Sequence, residues 1–184
     1  MFSTDTLIAD CIGCLAEPEP RAAVRDVLSR VVARPEEVGD VLRPELGGIE
    51  ILYVSPQLTV LHAVWAPGMS LYAHDHRMWA AIGVYAGRED NSFFRRPADG
   101  AAGLVASGTK QISDGSVLLL GDDTIHSVTT TPDRLTAAIH VYGGDFVNSP
   151  RSQWIPPELQ ERPYDLELTR AQFARANEAW AARR

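Results

Sequence analysis

Three of the five histidines in this chain are spaced as metal ligands. His74 and His76 stand one residue apart within GMSLYAHDHRMWAAIGVYAG, which runs from Gly68 to Gly87. A strand sends successive side chains to opposite faces, so His-Asp-His puts both imidazoles on one face and Asp75 on the other. A pair so placed can grip one cation from adjacent directions. His126 follows in GSVLLLGDDTIHSVTTT, on a stretch that reads as a second strand. Imidazole suits zinc, copper, iron and nickel alike, so the ligand type does not select the metal. Three neutral ligands leave the full dipositive charge on the ion, which favours anionic partners such as a thiolate or carboxylate. The ligands must be deprotonated to bind, so acid is expected to release the metal.

The elements that would position these residues are short and β-rich. From Gly47 to Gly144 apolar runs are cut by Gly, Pro, Asp and Asn, giving candidate strands at 50–54, 59–65, 79–85, 92–96, 110–112, 116–120, 125–130 and 136–142. About eight strands at this spacing argue for an all-β core of sandwich or jelly-roll type. A small barrel of that kind holds one small ligand among its inward side chains. Gly68, Gly87, Gly115 and Gly121 punctuate the strands around the histidines.

Helices flank this core. The first 14 residues read as one helix and Glu19 to Leu42 as two more, with Pro20 and Pro35 each suited to a first turn. Beyond the barrel the pattern returns to helix, with Thr169 a candidate N-cap and Phe173 and Trp180 on one face. The expected organisation is a single domain over 1–184: a helical segment at 1–46, a β-barrel at 47–148 and a C-terminal extension with a helix at 149–184. No repeat of solenoid type is present.

Composition narrows the classes. Hydrophobic residues make up 45% and charged residues 22%, the balance of an ordinary soluble globular protein. The net charge of −7 disfavours nucleic acid or an acidic membrane as a partner. The opening MFSTDTLIADCIGC has neither a basic n-region nor a long apolar run, so the cytoplasm is the expected compartment. Cys11 and Cys14 form a lone C-x-x-C on a helical segment. A zinc site would require a second pair and a redox role a βαβ setting, so packing is the expected role.

Gly68, His74-x-His76 and the run from Gly115 to His126 together resemble the two sequence motifs of the cupins, double-stranded β-helix proteins. The glutamate that follows His-x-His in most cupins is absent, its place taken by Trp79, Ala80 and Ala81. That loss, with IHVYGGDF from Ile139 to Phe146, resembles the cysteine dioxygenase-type thiol dioxygenases, which hold iron through three histidines beside a His-x-Tyr pair. The resemblance covers roughly Ile49 to Trp154. It implies His74, His76 and His126 as metal ligands, Fe(II) as the metal with Zn or Ni as rivals, and His140 and Tyr142 as the catalytic pair. Trp79, three residues after His76, resembles the bacterial mercaptopropionate dioxygenase branch and would wall the pocket. REDNSFFRR is similar to strings in a bacterial group of predicted double-stranded β-helix metal enzymes.

The chain departs from the thiol dioxygenases at three points. Ala81 stands where the animal enzymes have a cysteine cross-linked to the tyrosine, and Ala138 where a serine completes a Ser-His-Tyr relay. The strand that usually offers an Arg or Gln to the substrate carboxylate reads IEILYVS from Ile49, with neither. Arg95 and Arg96 end another strand, so one of them faces inward, and arginine is well suited to gripping a carboxylate or sulfonate. His62, in an apolar strand, reads as a core histidine.

Two readings of different class follow. One is a mononuclear non-haem iron dioxygenase that adds O₂ to a small anionic thiol and gives a sulfinate, with Tyr142 donating a hydrogen bond and His140 holding the phenol. The other is a metal-dependent cupin without redox chemistry (an isomerase, lyase or hydrolase), or a non-enzymatic binder of small molecules. The substrate is not legible. Neither is the quaternary state, for which the resemblance suggests a homodimer paired through sheet edges.

Overall fold

A computed structural model describes residues 1–183. Three helices open the chain: α1 at Thr4–Cys14, α2 at Pro20–Val32 and α3 at Pro35–Leu42. Proline opens both α2 and α3, where its missing N–H is no loss, and Glu36 and Glu37 complement the first turn of α3. Eleven strands follow. These are β1 Gly48–Val54, β2 Thr59–Trp65, β3 Ser70–Asp75, β4 Ala80–Ala86, β5 Arg88–Arg95, β6 Val105–Ser113, β7 Ser116–Leu120, β8 Ile125–Thr130, β9 Thr136–Tyr142, β10 Ser152–Ile155 and β11 Gln160–Pro163. Helix α4, Leu166–Ala181, closes the chain.

The strands form two antiparallel sheets in the interleaved order of a jelly roll, the all-β core expected. One sheet runs β1-β2-β9-β4-β7 and the other β11-β10-β3-β8-β5-β6. In the first, β2 and β9 are buried at every position, because both faces are covered. Outward residues Val60, Val64, Ala137, Ile139 and Val141 meet Val24, Val27, Leu28 and Val32 of α2. Gly83 permits this approach, since a Cβ there would sit 2.9 Å from Val32 Cγ1. Inward residues of the same strands, among them Leu61, Ile82 and Ala138, build the barrel's own core.

Cys11 and Cys14 are free and buried in the helix-facing core. Burial, with Cys14 and Asp10 nearby, pushes the Cys11 thiol up to about 12, so it packs as a small apolar group. No helix among the described residues is long and apolar enough to cross a membrane.

The sequence pattern under-counts the strands. Strands β10 and β11 lie in the stretch expected to be non-β, because SQWI and QERP are too short and polar to show alternation. They nonetheless extend the second sheet, through pairing of Gln153 with His74 and of Trp154 with Ala73. Helix α4 is capped by Asp165, whose carboxylate accepts the Leu168 N–H at 2.9 Å. Thr169, read as the cap, is instead buried inside the helix and donates its hydroxyl to the Tyr164 oxygen at 2.9 Å.

Candidate metal centre

His74 and His126 face each other across the β3–β8 ladder as directly paired residues. His76 lies one residue past the end of β3, just before Arg77 turns the chain with φ of 56°. It reaches the same centre from the strand's end rather than from its face. His76 Nε2 lies 3.2 Å from His74 Nε2 and 3.2 Å from His126 Nε2. All three residues are buried, and one nitrogen from each falls within 4.8 Å of the others. Two metal–nitrogen bonds of about 2.1 Å, opened by roughly 90–110°, would put their nitrogens about 3.0–3.4 Å apart. The spacing fits one shared ion.

Hydrogen bonds behind the rings aim their lone pairs inward. His74 Nδ1 lies 2.9 Å from the Tyr72 carbonyl, so it carries the proton and leaves Nε2 as an acceptor. His126 Nδ1 donates in the same way to Asn91 Oδ1 at 2.8 Å, which again frees Nε2. His76 Nε2 lies between two such acceptors and can donate to only one, while its buried Nδ1 has no partner. This cluster of facing lone pairs is what a cation would resolve. No carboxylate or thiol joins the three-histidine group among the described residues.

Burial lowers the pKa of all three imidazoles. His74 falls to about 4, through burial first and then the nearby Arg151 and His140 charges, against which its bond to the Tyr72 carbonyl acts. His76 and His126 lie well below the ordinary value, again chiefly through burial and then through neighbouring imidazoles. The trio is neutral and ligand-ready at neutral pH.

Strand β5 supplies a layer that sequence reading missed. Glu89 and Asn91 alternate inward and are almost fully buried. Asn91 orients His126, whereas Glu89 accepts the Trp65 indole N–H at 2.8 Å and lies 3.7 Å from His140 Nε2. The string REDNSFF carries little sign of it, because its first five residues are all polar and only the burial of every second one, Glu89 and Asn91, marks the inward face. Asn91→Ala should weaken metal binding by about 10- to 100-fold, the usual effect of losing a ligand's orienting partner. Competition against a chelator on the folded variant measures it.

His140 and Tyr142 stand side by side on β9, with His140 Nδ1 3.0 Å from the phenol oxygen. The Tyr142 ring stacks on Phe146 at 3.9 Å and meets the His76 ring edge-on at 5.0 Å. Burial raises the phenol's pKa, so it stays protonated. Both residues, with the three histidines, line a chamber of about 280 Å³ whose other walls are mostly apolar.

The remaining candidates lie elsewhere. Arg95 is exposed at the end of β5, and Arg96 pairs with Glu161 through contacts of 2.9 and 3.1 Å while lying 5.1 Å over Trp154. Neither lines the chamber, which is reached instead by Arg151 and Arg170. Trp79 does not line it either. Ala80 and Ile82 point inward, so Trp79 points outward, where it packs against the helix-facing core and over Gly143. A Cβ on Gly143 would sit 2.0 Å from the indole. Gly143→Ala should therefore cost about 1–3 kcal/mol by overpacking, read from chemical denaturation. Asp75 faces away from the centre, accepts the Ser152 N–H at 2.7 Å and pairs with Arg77 at 3.3 Å. His62 is buried outside the barrel against the Tyr85 hydroxyl at 2.8 Å.

No family model matches the chain. Among solved structures it is similar to a protein from Bacillus halodurans, at 15% identity over 69% of this chain and 84% of that one, with a TM-score of 0.48. A protein with a cupin-like fold from Ralstonia eutropha is 18% identical over 71% of this chain and 72% of its own, with a TM-score of 0.45. A conserved protein with a double-stranded β-helix domain from Klebsiella pneumoniae is 13% identical over 63% and 87%, with a TM-score of 0.46. At such identities and TM-scores these likenesses say nothing about activity.

Proposed function

We propose that the protein is a mononuclear metal-dependent oxygenase of the thiol dioxygenase type, using Fe(II) to convert a small anionic thiol and O₂ into a sulfinate. The observation that supports this most is the all-nitrogen donor set beside a buried His140–Tyr142 pair. Fe(II) held there would supply open coordination positions for a thiolate and O₂, and an electron source for their reaction. Both oxygen atoms enter the product (R–S⁻ + O₂ → R–SO₂⁻), so no further reductant is needed.

The chain's own residues prepare the site. Tyr142 keeps its proton and lines the chamber as a hydrogen-bonding group, held at 3.0 Å by His140. Glu89 and Trp65 fix the space behind His140. The apolar walls limit water around the reacting atoms, which strengthens every electrostatic contact inside.

The test is oxygen uptake by the Fe(II)-loaded protein across a panel of small thiols, with ¹⁸O₂ traced into product by mass spectrometry. Two labelled oxygens per sulfinate are expected. Turnover with zinc but not with iron would favour a non-redox enzyme, and no thiol-dependent uptake at all would remove the oxygenase reading.

A further inference from the structure

Glu89 is fully buried inside the barrel. A carboxylate in such a place is costly unless something nearby answers its charge. Alternation along β5 turns Arg88 and Asp90 to the opposite face, where they pair with each other at 2.9 Å. Among the described residues the one ion-pair contact of Glu89 is with His140.

The surroundings of Glu89 are fixed. Its Oε1 accepts the Trp65 indole N–H at 2.8 Å, a bond with only one possible sense because indole cannot accept. Trp65 is itself held by stacking on Phe173, with ring centres 5.4 Å apart. The same Oε1 lies 3.7 Å from His140 Nε2. Both Glu89 Oε2 and His140 Nε2 are buried and make no hydrogen bond among the described residues. Across the sheet His140 is flanked by Leu61 and Ile82, neither of which offers Nε2 a polar group.

A separation of 3.7 Å is too long for a hydrogen bond, yet it decides where the imidazole keeps its proton. A lone pair on Nε2 would face a carboxylate oxygen in a dry interior, where like polarity is strongly unfavourable. An N–H there faces it favourably. Fixing one ring nitrogen fixes the role of the other, and a buried carboxylate behind a histidine is a general means of doing so. With the proton on Nε2, Nδ1 keeps its lone pair, and the Tyr142 hydroxyl 3.0 Å away is the donor. A phenol has a single proton. Once that proton points at His140, the oxygen offers the chamber lone pairs alone.

We infer that Glu89 is the positioning residue of the His140–Tyr142 pair: it holds the proton on His140 Nε2, turns the Tyr142 hydroxyl towards Nδ1, and makes the phenol a hydrogen-bond acceptor for the ligand of the chamber. This reverses the direction expected from the sequence, in which Tyr142 donates. Ligands matched to that wall bring an N–H, O–H or S–H group to Tyr142. The inference rests on the oxygenase reading only for the identity of that ligand, a thiol substrate, and the placement of the proton requires no metal.

Nitrogen-15 NMR of the metal-free full-length protein, labelled at histidine and held at pH 7.5, tests it. Couplings to the two ring protons distinguish Nε2 from Nδ1, and the His140 signals are those absent from His140→Phe. Nε2 should be protonated and Nδ1 bare. Glu89→Gln, which keeps an acceptor for Trp65, should lower the ratio of the Nε2–H to the Nδ1–H form at least tenfold. A protonated Nδ1 in the wild type, or an unchanged ratio in folded Glu89→Gln, would overturn the assignment. The wild-type spectrum decides even where the variant fails to fold. Because no metal is present, the two readings fail separately: an Nε2–H ring in a protein without thiol-dependent oxygen uptake leaves Glu89 in its role and removes the oxygenase, and an Nδ1–H ring in an active oxygenase does the reverse.

Discussion

His76→Ala should cost the protein its metal. With one of three nitrogen ligands gone, affinity should fall by at least about 100-fold, beyond the range usual for losing a mere supporting contact. Oxygen uptake should fall to background with it. A ligand present at a hundred times its dissociation constant stabilises the folded state by about 2.7 kcal/mol, so metal should raise the melting temperature of the wild type and not of the variant. The variant should still fold, because among the described residues the His76 ring makes no hydrogen bond outside the histidine cluster and its Nδ1 is unpartnered. Metal content by plasma mass spectrometry, beside melting curves with and without metal, reads both effects. A variant that retains a full equivalent of metal would show that the three nitrogens do not share an ion.

The second large effect concerns acid. The folded protein holds His74 at about 4 and His76 and His126 well below the usual value, whereas all three titrate near 6.5 in the unfolded chain. Between those values the unfolded state binds protons that the folded state does not, so stability is intact above pH 6.5 and is lost as pH falls towards 4. At pH 5 the contribution of His74 alone is about 2 kcal/mol of destabilisation, at 1.36 kcal/mol per pH unit. Urea denaturation of the metal-free protein at pH 7.5 and 5 measures it, and the loss should shrink in His74→Ala. The same depression governs the metal. Since the folded imidazoles stay neutral until near pH 4, the ion should be retained to about pH 5 and released below that. Release with a midpoint near 6.5 would mean that these rings are open to solvent.

The convergence of His74, His76 and His126 was legible in the sequence because it depends on local spacing. His-x-His beside a glycine turn, and a third histidine on another apolar run, needed only strand geometry and a barrel to converge. The jelly roll itself was legible for the same reason, since β2, β4, β7, β8 and β9 are apolar runs bounded by turns. What was hidden depended on contacts between distant segments. Ser152–Ile155 becomes a strand by pairing with β3, which its four residues cannot announce. Trp79 looked like a pocket wall, yet the inward register of Ala80 turns it to the other face. Arg95 and Arg96 drew notice by standing at a strand's end, where Glu161 on β11 claims Arg96. Arg151 had no periodic pattern around it. Phe146 and Tyr164 precede and follow it in the sequence, and only the folded chain brings both rings against its guanidinium.

X-ray absorption at the metal edge of the Fe(II)-loaded protein most directly examines whether one ion sits among His74, His76 and His126. One equivalent of iron per chain is expected, with about three imidazole nitrogens near 2.1 Å and the outer-shell scattering that imidazole rings give. Iron bound at well below one equivalent, or a first shell without imidazole, would contradict a shared three-histidine site.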